Sequence, residues 1–164
     1  DQGTLEIMAP LPRHEYYKEA IADLVKDFAY ELDIDYECLG SSTWKRRDLL
    51  SGIEPDNCFY FQNEPRIRGK LDCDLTQDPL PDLALEIDIT SKSLNRMPIY
   101  ARLGVPEVWR YDDGNLTIYL LQGQEYVLAT TSFALPLFPV TEIIPFIDNH
   151  LPEGKIAMRR AFRE

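Results

Sequence analysis

Hydrophobic and polar residues alternate along residues 83–89, which read Leu-Ala-Leu-Glu-Ile-Asp-Ile. In a β-strand this alternation places the leucines and isoleucines on one face, and Glu86 and Asp88 on the other. Two carboxylates on one face of a buried strand are costly unless a cation meets them, and magnesium prefers such oxygen ligands. The pattern therefore favours either a divalent-metal site or the solvated face of an antiparallel sheet, and this segment alone does not separate the two.

A second period, of three to four residues, covers residues 13–32 and predicts an amphipathic helix. Glu15, Glu19 and Asp23 form an acidic stripe along it. Acids near a helix start favour the helix dipole, and this is the simpler interpretation, above all for Asp23. The alternative is that Glu15 or Glu19 reaches over a sheet into an active site. The neighbouring His14 is more typical of a surface or capping histidine.

The rest of the pattern predicts short strands, turns and flanking helices. We expect strands at residues 5–8, 35–39, 42–47, 58–61, 83–89, 106–111, 116–121 and 126–130, and helices at residues 92–103, 141–149 and 155–163. Gly40 and Ser41 are expected to form the turn between the second and third strands, and residues 62–81 a long loop. The elements predict one α/β (α+β) domain over residues 1–164, in which helices flank a mixed central β-sheet.

Length and cysteine content limit the function. A chain of 164 residues suits one domain. No apolar run approaches the roughly 20 residues that span a bilayer, so we expect no membrane partner. We also expect no organic cofactor. Cys38, Cys58 and Cys73 are odd in number and lack metal-type spacing, which indicates a reduced, cytoplasmic setting. Zinc is disfavoured because the two histidines, His14 and His150, belong to no cluster.

The formal net charge of −11 opposes nucleic-acid binding, which normally relies on positive charge. Net charge is not local potential, however, and acids at a metal site add to the negative count. Basic residues gather at residues 45–47 and 66–70. Such groups usually form a solvated face. Arg46, Arg47 and Arg68 are the candidates for contacts with the DNA backbone.

A second carboxylate, Asp56, stands at the mouth of the strand predicted at residues 58–61. Adjacent strands lie about 4.8 Å apart, so Asp56 and Glu86 can share one ion if their strands are neighbours. Such an ion would lower the pKa of a bound water and neutralise charge on a phosphoryl oxygen. Asp82 begins the Glu86 strand, and we interpret it as an anchor for a turn or loop. The placement of Asp56 and Glu86 on these two strands predicts a magnesium site.

Three segments carry a resemblance to a known family: Pro55-Asp56, residues 81–88 (Pro-Asp-Leu-Ala-Leu-Glu-Ile-Asp) and residues 100–109 (Tyr-Ala-Arg-Leu-Gly-Val-Pro-Glu-Val-Trp). They resemble the bacterial family of putative restriction endonucleases, formerly a domain of unknown function, within the PD-(D/E)xK nuclease superfamily. Residues 5–10, with His14 and Glu15, resemble the opening of that family, and the likeness extends to about Leu121. The Gly-Val-Pro-Glu-Val-Trp run is quite specific to the family, whereas Pro-Asp alone is a weak signal.

The resemblance implies a restriction-endonuclease-like fold and hydrolysis of phosphodiester bonds in DNA with Mg²⁺ or Mn²⁺. It implies that Asp56 is the superfamily's strand-mouth aspartate, Glu86 the acid of the (D/E)xK element, and Glu15 the acid that some members carry on a helix. Asp88 and Arg96 depart from the pattern, because lysine stands at one or the other of these positions in relatives. Arginine stabilises charge on a phosphate but does not lose its proton to activate water.

Two functions of different classes follow. In the first, a metal-dependent endonuclease, Asp56, Glu86 and Asp88 bind the metal, and Lys92 or Arg96 offsets charge at the scissile phosphate. A homodimer is expected, because a DNA duplex has two strands. In the second, a nuclease fold serves only to bind nucleic acid or protein, which the acidic balance and the missing lysine favour. A carboxylate-based hydrolase of sugars is a third class, but the chain lacks an aromatic sugar platform.

Overall fold

The computed structural model describes residues 11–46, 51–89 and 96–164. The helices are α1 Pro12–Glu31, α2 Glu64–Ile67, α3 Met97–Leu103, α4 Val140–His150 and α5 Lys155–Phe162. The strands are β1 Glu37–Cys38, β2 Trp44–Arg46, β3 Ser51–Ile53, β4 Asn57–Tyr60, β5 Leu83–Asp88, β6 Glu107–Asp112, β7 Asn115–Gln122 and β8 Glu125–Ala129. The strand predicted at residues 5–8 and the start of the helix predicted at 92–103 lie outside the described residues.

Six strands form one mixed sheet in the order β1-β4-β5-β6-β7-β8. Only β5 and β6 run parallel among these neighbours, and α3 lies between them in the chain. A parallel pair needs such a crossover, whereas the antiparallel pairs β6–β7 and β7–β8 are joined by tight turns. The mixed central sheet flanked by helices, predicted from the sequence, is confirmed.

The turn predicted at Gly40 and Ser41 does not join two strands of one hairpin. Instead, β1 pairs with β4 in the central sheet, whereas β2 pairs with β3 in a separate two-stranded sheet. The prediction was wrong because β4 is buried along its whole length, so pairing with it covers more apolar surface than a local hairpin would. Gly52 permits the tight β2–β3 pair, since a Cβ there would lie 2.8 Å from the Lys45 Cγ atom.

The two faces of the central sheet carry separate hydrophobic clusters. Leu83, Leu85 and Ile87 of β5 pack into the larger cluster, with α1 and α4. Ala84 packs into the smaller cluster, with Tyr100 and other residues of α3. The alternation along β5 is therefore confirmed, and both faces of the strand are covered.

The segment between β4 and β5 is more ordered than the predicted loop. It contains α2, and Asp82 anchors its beginning by accepting hydrogen bonds from the backbone N–H groups of Phe61 and Asn63 at 2.8 and 2.9 Å. The Asn63 side-chain amide donates a third at 2.7 Å. These contacts confirm the interpretation of Asp82 as a loop anchor.

Glu107 explains part of the Gly-Val-Pro-Glu-Val-Trp run. Its buried carboxylate accepts hydrogen bonds from the Trp109 indole, the Ser132 hydroxyl and the backbone N–H of Ala134, at 2.6, 2.5 and 2.8 Å. These bonds fasten the segment after β8 to the sheet. Just upstream, Gly104 ends α3 with a φ of +92°, which a residue with a side chain rarely adopts. The run is therefore largely structural.

No helix in the described ranges is both long and apolar enough to cross a membrane. The three cysteines are free thiols.

Candidate active site

Asp56 lies in the turn before β4 and is bound to the backbone of β5. Its own N–H donates to the Leu85 carbonyl at 3.1 Å, and its Oδ2 atom accepts from the Ile87 N–H at 2.7 Å. The two backbone groups flank Glu86 in the chain. This double attachment places the Asp56 carboxylate beside that of Glu86, so the structure brings together the two acids predicted on neighbouring strands.

Glu86 is an acid held in a nearly dry environment. The residue is 8% exposed, and its Oε1 atom has no hydrogen-bond partner among the described residues. Burial raises the pKa of Glu86 to about 8; the charge of Arg96 opposes this increase, and the charge of Asp56 adds to it. The solvated-face interpretation of this strand is therefore wrong at Glu86, because the carboxyl group is buried beside a second acid and an arginine.

Arg96 is the cation nearest to Glu86 in the described part of the chain. Its Nε atom lies 3.1 Å from Glu86 Oε1, although not in hydrogen-bond alignment, and its Nη2 atom donates to the Glu54 carbonyl at 2.7 Å. Arg96 immediately precedes α3, and its side chain is 30% exposed. One part of the guanidinium thus contacts the site while another part remains accessible to a ligand.

Tyr100 lies next to Glu86 on the buried side of the site. The side chain is fully buried in α3, and its hydroxyl neighbours the Glu86 carboxyl without a hydrogen bond to any described residue. Burial raises the pKa of Tyr100 well above its usual range, so the hydroxyl stays protonated. A hydrophobicity pattern does not reveal which way this hydroxyl points.

His14 was the residue of this site that sequence reasoning placed elsewhere. Its Nε2 atom lies 3.2 Å from Asp56 Oδ1, and its side chain is only 13% exposed. The first turn of α1 lies over the mouth of β4, so the expectation of a surface or capping histidine is wrong. Glu15 is farther out: its Oε2 atom lies 3.8 Å from His14 Nδ1 and 3.3 Å from the Lys18 ammonium.

Asp88 faces the same side of β5 as Glu86 but has a different partner. Its Oδ2 atom accepts a 2.6 Å hydrogen bond from Arg110 on the neighbouring strand β6, while its Oδ1 atom is buried without a partner in the described residues. The other nitrogen of that guanidinium, Nη1, lies 3.7 Å from Asp112. Asp88 was predicted as a metal ligand, and that role stays a prediction.

The remaining predicted contacts are spread over the chain. Arg68 is 58% exposed and forms ion pairs with Glu64 at 2.6 Å and Asp35 at 3.0 Å. Arg46 closes β2 at the end of the two-stranded sheet. Arg47 and Lys92 lie outside the described residues. Their roles stay predictions.

A divalent cation fits this donor set. Within residues 11–46, 51–89 and 96–164, no three His, Cys, Asp or Glu side chains form a group able to hold a metal. Magnesium, however, is usually bound by one or two carboxylates and several waters, together with substrate phosphates. Asp56 and Glu86, whose Oε1 atom is buried without a hydrogen bond to a described residue, meet that lighter requirement.

The protein thus combines a mixed sheet with two acids on neighbouring strands, Asp56 just before β4 and Glu86 within β5. The crystal structure of a putative nuclease belonging to DUF820 from Anabaena variabilis ATCC 29413 superimposes with a TM-score of 0.57 and covers 85% of this chain and 86% of its own. The two sequences are 13% identical, so the likeness shows a common fold.

Sequence comparison then places the chain in a family. It matches Uma2, described as "Putative restriction endonuclease", over residues 1–148, and it belongs to this family. The resemblance stated from the sequence is thereby confirmed. A comparison with curated proteins gave no match.

Proposed function

We propose that this protein is a Mg²⁺-dependent endonuclease that hydrolyses phosphodiester bonds in DNA. One observation carries the proposal: the Asp56 carboxylate accepts a hydrogen bond from the Ile87 N–H of β5. This bond places the Asp56 carboxylate beside the buried Glu86. Two acids so close in a dry site repel each other when both are ionised, and a cation bound between them relieves that repulsion. Family membership and the nuclease fold of the similar structure support the same reading.

Each residue of the site has a distinct task in this proposal. Asp56 and Glu86 hold Mg²⁺ or Mn²⁺, which supplies a reactive water near neutral pH and charge for the phosphate. His14 holds Asp56 in orientation through its 3.2 Å contact. Arg96, fixed by the Glu54 carbonyl, offsets charge on the scissile phosphate. We propose that Arg46, Arg47 and Arg68 contact the DNA backbone, and we retain Lys92 as an alternative residue to offset charge on the scissile phosphate.

Plasmid nicking tests the proposal. Wild-type protein should convert supercoiled plasmid to the open circular form with Mg²⁺ or Mn²⁺ and not with EDTA. D56N keeps the side-chain volume but removes the charge, so nicking should fall at least 100-fold. D33N is the matched control, because Asp33 lies just past the opposite end of α1, at a positive φ that asparagine tolerates. Equal nicking by D56N and wild type would refute the assignment.

A second function is a nuclease fold kept for binding nucleic acid or protein. It is favoured by the cations next to the acidic residues: Glu86 faces Arg96 and Asp88 binds Arg110, and neither arginine can give up a proton to activate water. Calorimetric titration with Mn²⁺ separates the two functions. Measurable heat together with nicking supports the endonuclease; no heat and no nicking supports the binding module.

Assembly and location belong to the same proposal. A homodimer would address both strands of a duplex, and sedimentation equilibrium would detect it. A mass equal to one chain of 19.0 kDa at micromolar concentration would remove the dimer from the proposal without affecting the metal site. The proposed setting is the cytoplasm, in which the three cysteines stay reduced.

A further inference from the structure

Arg110 is placed beside the metal-binding acids by the register of the sheet. In the parallel pair β5–β6 it is the direct neighbour of Glu86, and side chains at such positions share one face. Its Nη2 atom donates to Asp88 Oδ2 at 2.6 Å, two residues beyond Glu86 on the same strand. The guanidinium therefore lies along the mouth of the site.

The Arg110 guanidinium has capacity left for a ligand. Among the described residues it makes a single hydrogen bond, from Nη2 to Asp88, and the 3.7 Å separation of Nη1 from Asp112 is too long for a second. A guanidinium carries five N–H donors in a planar fork that matches phosphate oxygens. The side chain is 28% exposed, so solvent and a ligand can reach it.

The charges around the site also favour an anion there once a cation is bound. When all four acids near these two guanidinium groups are ionised, Asp56, Glu86, Asp88 and Asp112 outnumber the arginines by two charges. One divalent cation cancels this excess. A phosphate group that enters the metal-bound site can then contact Arg96 and Arg110. The bound cation has already balanced the excess carboxylate charge.

We propose that Arg110 is a phosphate-binding residue of the same site and that Asp88 is its counter-ion, which holds the guanidinium in position rather than binding the metal. This inference rests on the proposed nuclease function. The lysine that the superfamily motif carries at position 88 would bring positive charge on β5. Here the positive charge comes instead from β6, one strand away. In this proposal Arg110 and Arg96 both bind the same backbone phosphate.

The competing interpretation is that Arg110 only neutralises Asp88 within the sheet. The two interpretations differ in the salt dependence of DNA binding. Each phosphate neutralised by a protein cation contributes about −0.9 to the slope of log affinity against log salt concentration. A residue that only pairs with Asp88 contributes nothing to that slope.

The test measures binding of a fluorescein-labelled 30-base-pair duplex by anisotropy, in Ca²⁺ and with salt varied between 50 and 200 mM. R110Q should weaken binding about tenfold at 100 mM salt and reduce the slope by about one. R110K keeps the charge and should retain the slope. R160Q is the matched control, because Arg160 is exposed on α5 and its loss removes the same charge elsewhere. A slope unchanged in R110Q would overturn the proposal.

Substitution of Asp88 provides a second test of the proposal. D88N should leave Mn²⁺ binding within threefold of wild type, because the metal ligands remain, and should weaken DNA binding, because Arg110 loses the carboxylate that positions it. Loss of Mn²⁺ binding in D88N would overturn the proposal by making Asp88 a metal ligand. The double variant D88N/R110Q removes both charges, so it should fold even if R110Q, which leaves Asp88 unpaired, does not. The salt slope of DNA binding should still be lower by about one in the double variant.

Failure of this inference is distinguishable from failure of the nuclease function. If wild type does not nick plasmid but R110Q lowers the salt slope of binding, the endonuclease proposal fails and the phosphate contact stands. If wild type nicks and R110Q binds like wild type, only the role of Arg110 fails. If wild type binds no DNA at all, both fail.

Discussion

Asp56 shows how one side chain depends on its neighbours in this site. Its Oδ2 atom is occupied by the Ile87 N–H, and its Oδ1 atom faces His14 at 3.2 Å. A carboxylate fixed at both oxygens cannot swing away from Glu86 when the metal is absent. Protein contacts therefore hold the Asp56 carboxylate in the position that the proposed metal site requires.

The first residue-scale prediction concerns His14. H14Q removes the imidazole that contacts Asp56, and loss of such a supporting contact typically costs 10–100-fold in metal affinity. We expect about a 10-fold weaker Mn²⁺ affinity by calorimetric titration. H150Q, which changes the histidine at the end of α4, is the control and should bind like wild type. An affinity in H14Q equal to that of wild type would show that His14 does not support Asp56.

The residue-scale features that the sequence predicted are those that depend on strand period and strand adjacency. Glu86 was found because two acids interrupt an apolar alternation, and Asp56 because it precedes a strong strand. His14 and Arg110 acquire their positions from the docking of α1 and from the register of β5 against β6. Neither is encoded in a local pattern, so one sequence alone did not reveal them.

The contact between α1 and α5 is the clearest interaction between elements outside the site. Asp27 of α1 is 2% exposed and accepts hydrogen bonds from Arg159 at 2.8 and 2.9 Å and from Arg163 at 3.0 Å. Burial alone would raise the pKa of Asp27, but these hydrogen bonds outweigh it and hold the pKa below its usual value. The helix α5 lies beyond residue 148, where the family match ends.

The element-scale prediction follows from this depressed pKa. The ionised Asp27 stabilises the fold at pH values above its unfolded pKa of about 4, and this stability is lost as the pH falls through the lower, folded pKa. D27N should therefore reduce the free energy of unfolding by about 2 kcal/mol at pH 7, with a difference that shrinks below pH 4. Urea unfolding between pH 3 and pH 8 measures it.

D23N is the matched control for this pair of helices. Asp23 also faces α5, but it is 27% exposed and its contacts with Lys155 and Arg159 are 3.8 and 4.0 Å long. Such a pair contributes less than about 1 kcal/mol. Equal losses in D23N and D27N, or a D27N loss independent of pH, would contradict the account of the buried ion pair.

Sequence reasoning succeeded for elements with a strong period and failed where a strand had two possible partners. The helix predicted at residues 13–32 is α1 almost to the residue. The hairpin around Gly40 was wrong because the choice of partner for β1 depends on β4, about twenty residues downstream. Local turn signals carry no information about that competition.

At the scale of the whole molecule, one sheet separates two hydrophobic clusters. Trp109 belongs to the cluster under α1, and Trp44 to the cluster under α3. The strands β4, β5 and β6 contribute residues to both clusters. Because the same strands line both, we expect neither cluster to unfold alone, which agrees with the single domain predicted over residues 1–164.

The two tryptophans provide the whole-molecule prediction. In W44F only Trp109 reports, and in W109F only Trp44 reports. For each variant the midpoint of urea unfolding from tryptophan fluorescence should equal the midpoint from far-ultraviolet circular dichroism, within 0.2 M, as two-state unfolding requires. W109F should be the less stable variant, because it loses the indole hydrogen bond to Glu107. Midpoints that differ between the two probes in either variant would indicate two separately unfolding units.

The claim on which the whole account depends is that Asp56 and Glu86 share one divalent cation, and a crystal soaked in Mn²⁺ tests it most directly. The account predicts one anomalous difference peak about 2.1 Å from an oxygen of each carboxylate, with water filling the remaining positions. A peak bound by only one of these residues, or no peak at Mn²⁺ concentrations that support nicking, would contradict it.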